Sequence, residues 1–262
     1  MLILHRNINR HLFALLLIAS MLFPYFSAHG ESGKAQLQTT AKSIIVVTSN
    51  WPPYAIEHST TEQRGMDVDV VAAAFKRAGI TAEFRFYTWL RCFEEMEKER
   101  AAAMLVIINA PGHAKELFLS QPLSTSTGIF LVSKEYAGPP LSTLRDLTGL
   151  NIAVVDGYAV SDALTKLNMA YDVSHDEETA IRKVADKRLD VALLELRNAR
   201  YTLFKLDLTD KFKWHVAPDT YIMRLRVNQK LPDATQLLEA FNSGLNAIIK
   251  DGTYDAIRAQ YE

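Results

Sequence analysis

The stretch Leu144–Gly157, LRDLTGLNIAVVDG, decides how the chain is read. Its second half is a short apolar run that stops at a glycine, the pattern of a buried strand ending in a turn. It follows a loop marked by Gly138-Pro139-Pro140 and opens a new structural set. AVSDALTKL (159–167) and EETAIRKVADKR (177–188) read as helices, the latter with Ile181, Val184, Ala185 and then Leu189 on one side, and LDVALLEL (189–196) reads as the next strand. Upstream lies an equivalent set. SIIVVTS (43–49) is a β-branched strand, and MDVDVVAAAFKRAGI places Val71, Ala74, Phe75 and Ala78 at helical spacing before Gly79 stops it. TAEFRFY then alternates, and a second helix is predicted from about Leu90 to Arg100. Strand–helix alternation in both sets predicts parallel α/β architecture. Downstream, FKWHVAPD is predicted to lead past Pro218 into the strand-like YIMRLRV. A long helix, with Leu238, Phe241, Leu245, Ile248 and Ile249 on one face, and the short TYDAIRAQY close the chain.

The N-terminus reads differently. Arg6 and Arg10 precede an uncharged run from Leu12 to Phe23, then Pro24 and Ala28-His29-Gly30, the pattern of a secretory leader cleaved near Gly30. The run is too short for the roughly 20 residues of a spanning helix. Residues 31–42 are polar and aperiodic, a spacer. The formal charge is −1, and removing the leader with its two arginines makes it −3. That mild acidity argues against nucleic acid or an anionic membrane as partner. One cysteine, Cys92, cannot form an internal bridge, so the core must hold this exported chain, and a buried apolar role is expected for it.

The sequence contains no GxSxG elbow, SxxK pair, P-loop or GxGxxG. His58, His113, His175 and His215 are scattered, with no partner at ligand-like spacing. No catalytic residue, metal site or cofactor is therefore expected.

The order of segments resembles the bacterial extracellular solute-binding proteins of family 3, a group that includes periplasmic receptors for polar amino acids. WPPY (51–54), RGMDVDVVAAAFKRAGI (64–80), LFLSQPL (117–123), LRDLTGLNIAVVDG, KRLDVALLE (187–195) and IIKDGTYDAIRAQY (248–261) carry the resemblance, in family order, over residues 43–262. Trp89-Leu90-Arg91-Cys92 resembles the Trp-x-Arg-Cys signature of a branch of stand-alone members. The resemblance implies an α/β, two-lobed fold of the periplasmic-binding-protein type, each lobe a mostly parallel sheet flanked by helices. It implies 43–132 plus 221–262 as lobe one, 133–220 as lobe two, two hinge crossings, and ligand bound between the lobes, where strand C-termini and helix N-termini converge.

The resemblance also assigns candidate ligand-binding residues. Trp51 and Tyr54 would form an aromatic wall, or else cap the core. His113 stands where amino-acid receptors of the family place a carboxylate-clamping arginine, and imidazole is a weaker, mostly neutral donor; the alternative is a polar residue at a helix start. Asn109 could donate beside it. In lobe two, Gly157-Tyr158-Ala159 replaces the family's Gly-Ser/Thr turn, leaving helix N-terminal amides and Ser161 for an anion. Glu195 matches the carboxylate that holds an ammonium group. Trp89 and Arg91 are further candidates, although Arg91 could equally pair with Glu94 or Glu95 on its own helix. Asp67 and Asp69 are expected as caps or helix-dipole partners, and Asp190 as a structural residue at a strand entry.

The leading expectation is a monomeric, non-enzymatic periplasmic receptor that captures a small molecule with an amine or cationic end. Its partner would be a membrane transporter, of the ABC type that serves amino acid transport, or a sensor. Two alternatives stand beside it: a cleft enzyme similar to cyclohexadienyl dehydratase, with Glu195 as acid if burial raised its pKa, and a partner-binding protein whose pocket has degenerated.

Overall fold

The structure, a computed structural model, describes residues 42–108 and 118–261. The expected leader, nearly all of the expected spacer, Asn109 and His113 lie outside these residues. Lys42, the last spacer position, is instead the first residue of a strand.

The chain lays down β1 (Lys42–Thr48), α1 (Met66–Arg77), β2 (Ile80–Phe86), α2 (Trp89–Glu97) and β3 (Ala103–Ile108). After the long β4 (Ser124–Ser133) come β5 (Ile152–Val155), α3 (Val160–Lys166), β6 (Asp172–Ser174), α4 (Glu177–Ala185), β7 (Val191–Glu195) and α5 (Leu196–Lys205). β8 (Phe212–Val227), α6 (Ala234–Lys250) and α7 (Thr253–Arg258) end it. One curled, mixed sheet results, in the order β2-β1-β3-β8-β4-β7-β5-β6. Each end is parallel, β2-β1-β3 and β7-β5-β6, whereas β4 and β8 pair antiparallel with each other and with the strands beside them.

Two sets of buried side chains flank this sheet. In the first, Val71 and Phe75 of α1 and Phe241 and Leu245 of α6 meet Val46, Leu105 and Leu225. Phe75 and Phe241 pack with ring centroids 4.8 Å apart. Gly244 permits that approach, since a β-carbon there would fall 2.0 Å from the Ala74 carbonyl oxygen. In the second set the alternation of β4 divides the burial: Ile129 and Leu131 pack with Ile181, Val184 and Leu203 on one face, Phe130 and Val132 with Leu147 and Leu164 on the other.

β8 changes from one core to the other within its own length, and the chain does the same on entering β4. Leu123, just before β4, belongs to the first core, and the side chains of residues 129–132 pack in the second. On β8, Phe212 packs in the second core and Met223 in the first. The ladder slips at this crossing: Ile129 pairs with Val216 and Thr127 with Thr220, leaving Ala217-Pro218-Asp219 opposite the single Gly128. The sequence marks Pro218 as a strand boundary, yet β8 runs through it. Proline lacks an N–H to give to the ladder, and an irregular step is where a strand tolerates that loss.

Candidate functional site

Trp51 and Tyr54 lie in the turn after β1, held by a bridge between Trp51 and Ala55. Their rings stack with centroids 4.7 Å apart. The start of α1 is pinned against this turn, because Met66 N donates to Pro53 O at 2.8 Å and Asp67 N to Tyr54 O at 3.0 Å. Backbone carbonyls thus serve helix N–H groups that a side-chain cap would otherwise satisfy. Gly65, at φ 117°, makes the junction, and a β-carbon there would sit 2.5 Å from Tyr54 O.

Glu195 comes from the second core. It ends β7 and is the N-cap of α5, its Oε2 accepting from Asn198 N at 2.8 Å. Tyr54, fully buried, donates its hydroxyl to Glu195 Oε1 at 2.8 Å. Thr127 N reaches the same oxygen at 3.3 Å. Each of these three donors is neutral. Burial first, and the Glu195 charge second, raise the Tyr54 pKa and keep its hydroxyl a donor. Asn198, also buried, donates Nδ2 to Pro52 O at 2.8 Å, which fixes the amide orientation. Its Oδ1 has no hydrogen-bond partner among the described residues.

A second group adjoins the first. Trp51 Nε1 is shared between the Tyr158 hydroxyl and Glu177 Oε1, each at 3.0 Å. Tyr158 donates to the same carboxylate oxygen at 2.6 Å, and burial followed by the Glu177 charge raises its pKa well above the usual tyrosine value. Glu177 is set at the first position of α4 by Asp176, whose side chain caps the helix at Thr179 N, 2.7 Å away.

Of the sequence candidates, Trp51, Tyr54, Tyr158 and Glu195 therefore come together. Ser161 lies one turn from Tyr158, and its hydroxyl donates to Tyr158 O at 2.8 Å. Trp89 packs edge-on against Phe93 at 5.1 Å, beside a small cluster of Val47, Cys92, Met96 and Met104. Arg91 takes the pairing on its own helix, 3.5 Å from Glu95 and stacked over Tyr87. Cys92 is buried, as expected, and burial pushes its thiol up to about 11. Asp190 receives Asn151 N at 2.7 Å, the structural part foreseen for it.

Asp67 stands in the first turn of α1, as a helix-dipole partner would, but does not cap the helix. It is 1% exposed, accepts from Ser124 Oγ at 2.8 Å, and has no partner for Oδ1 among the described residues. Burial pushes its pKa up to about 7, against the opposing pull of Ser124, Arg258 and Arg197. Glu177 and Asn198 are absent from the sequence candidates. Asn198 carries a readable signal, three residues after a carboxylate at a strand end, which is cap spacing.

These aromatic rings and carboxylates meet between segments that pack in different cores, on a fold shared with known proteins. The family model for bacterial extracellular solute-binding proteins, family 3, matches residues 44–262. The chain belongs to that family. Among solved structures, a histidine kinase sensor domain with similarity to periplasmic binding proteins aligns with a TM-score of 0.74 and 22% identity, covering 85% of this chain and 97% of that one. A mutant of ArgBP from T. maritima gives 0.71 and 19%, covering 85% and 96%. A substrate-binding protein of an ABC uptake transporter from Streptococcus pneumoniae, with bound histidine, gives 0.72 and 17%, covering 85% and 93%. At such identities the likeness establishes the two-lobed periplasmic-binding-protein fold. No curated protein sequence matches. Among the described residues no group of three or more His, Cys, Asp or Glu side chains is placed to hold a metal, and no helix is long and apolar enough to cross a membrane.

Proposed function

We propose that this family-3 protein is a periplasmic receptor, without catalytic activity, that captures a small molecule bearing an ammonium group between its two lobes. The lobes are taken as the two cores with their flanking helices, hinged where β4 and β8 cross. The observation that carries the reading is Glu195: a carboxylate 4% exposed, held by neutral donors, beside a stacked Trp–Tyr pair and an orphaned amide oxygen on Asn198. An ammonium group brings a positive charge and three donors. It adds full charge attraction to Glu195 that the neutral Tyr54 hydroxyl it would displace does not supply. The aromatic faces add cation–π attraction. Capture then favours a closed arrangement of the lobes because the ligand contacts both. ArgBP and the histidine-bound pneumococcal protein lend support as fold relatives, and the histidine kinase sensor domain makes a sensor as natural a partner as an importer.

A thermal-shift screen of amines, amino acids and neutral isosteres tests the reading. Amines are expected to raise the unfolding midpoint of the native protein and to lose that effect in Glu195→Gln. Equal shifts from neutral isosteres would overturn it. One observation favours a second reading, a protein that works through a partner with no small ligand: Tyr54, Trp51 and Tyr158 already occupy the two carboxylates. Native mass spectrometry of protein taken from its own compartment separates the two, since a receptor carries a small molecule and a partner-binding protein a second chain.

A further inference from the structure

Eight large apolar residues of the described chain are exposed, and five of them, Tyr201, Phe204, Trp214, Val216 and Ile222, lie on α5 and β8. Such clustering on two neighbouring elements is what an interaction site produces, whereas scattered exposed residues are ordinary. A groove of about 560 Å³ runs between these elements and reaches Pro53 in the turn after β1 and Tyr261 beyond α7. Its volume lies in the range of small-molecule sites. Positions 197, 200, 201 and 204 share one stripe of α5, so Arg197 and Arg200 enter the groove beside Tyr201 and Phe204, with Trp214 opposite on β8. Phe204 is 83% exposed. Arg197 is committed to the Thr125 carbonyl at 3.1 Å. Arg200 is exposed and makes no hydrogen bond or ion pair among the described residues.

We propose that this groove, which adjoins the Glu195 cluster at Pro53 and Arg197, is a second binding site, for a small aromatic carboxylate whose ring lies among Tyr201, Phe204 and Trp214 and whose carboxylate is gripped by Arg200. The guanidinium presents two parallel donors that match a carboxylate in its own plane. The rings favour a planar, apolar body over an aliphatic or strongly hydrated anion. Charge sign separates the two sites: Glu195 and Glu177 suit a cation, and the α5 groove suits an anion.

Calorimetric titration of the intact protein with phenylacetate, phenylacetamide and phenethylamine tests the proposal. Phenylacetate is expected to bind with a dissociation constant below about 1 mM, and the uncharged amide at least about ten-fold more weakly. Arg200→Gln and Phe204→Ser are each expected to weaken phenylacetate by about ten-fold. Both side chains are exposed, so each variant should keep the wild-type unfolding midpoint. Absence of phenylacetate binding, equal binding of acid and amide, or binding unmoved by both substitutions would overturn the proposal. These outcomes are independent of the amine screen, because neither Arg200 nor Phe204 touches the Glu195 cluster.

Discussion

Asp67 and Glu195 are both buried carboxylates near Tyr54, and they sit in opposite circumstances. Glu195 accepts from a hydroxyl and two backbone amides, and both its oxygens are used. Asp67 accepts from one serine hydroxyl and leaves Oδ1 unpartnered among the described residues. Position in secondary structure explains the contrast. Glu195 closes a strand and opens a helix, so one unpaired helix N–H, that of Asn198, falls on it, and Thr127 N of the neighbouring β4 adds a second amide. Asp67 lies inside the first turn of α1, whose nearby N–H groups already serve the Pro53 and Tyr54 carbonyls. Similar burial therefore gives one carboxylate with both oxygens partnered and another, Asp67, that resists ionisation, and only the first is suited to meeting a cation.

The most disruptive way to break the comparison is Glu195→Leu, which strands the amides of Thr127 and Asn198 and leaves the Tyr54 hydroxyl only the Thr125 carbonyl, 3.3 Å away. Urea unfolding should show a loss of about 3–5 kcal/mol. Next is Asp67→Asn. A native pKa of about 7 against 3.8 when unfolded means that the unfolded chain loses its proton first on raising the pH. The stabilising effect of protonation is complete below pH 4 and disappears as pH rises through 7. The wild type should therefore lose about 2–4 kcal/mol between pH 4 and pH 8 relative to Asp67→Asn, as read from paired denaturation curves. Tyr54→Phe removes one hydrogen bond to a charged acceptor and should cost about 1.5–2 kcal/mol at either pH. Trp51→Phe is the mildest change. It keeps the ring stack, drops the shared indole donation to Tyr158 and Glu177, and should cost about 1 kcal/mol or less.

Elements with a local period were legible in the sequence. α1 announces itself by Val71, Ala74 and Phe75, and β5 and β7 by short apolar runs next to turn signals; all three pack as the pattern requires. The motif order was enough to name the family. For contacts between segments more than a hundred residues apart, the resemblance put Trp51, Tyr54, Tyr158 and Glu195 at one site, but their pairings were not legible. Trp51 finds Tyr158 and Glu177, and Tyr54 finds Glu195, across separations that no periodicity encodes. Glu177 in the sequence is one of several acids opening a helix, and only the packed α4 distinguishes it from Glu178. Arg91 illustrates a near tie, since helix spacing offers it Glu95 whatever the cleft requires.

The slipped step at Ala217-Pro218-Asp219 has a consequence for how the molecule breathes. Three residues facing one leave a gap in the ladder where the two crossing strands are joined least tightly. Deuterium should enter the amides of Ala217 and Asp219 well before those of Leu131 and Leu225, which are buried in the two cores on either side. The sheet would then loosen first at its middle, with both ends still intact.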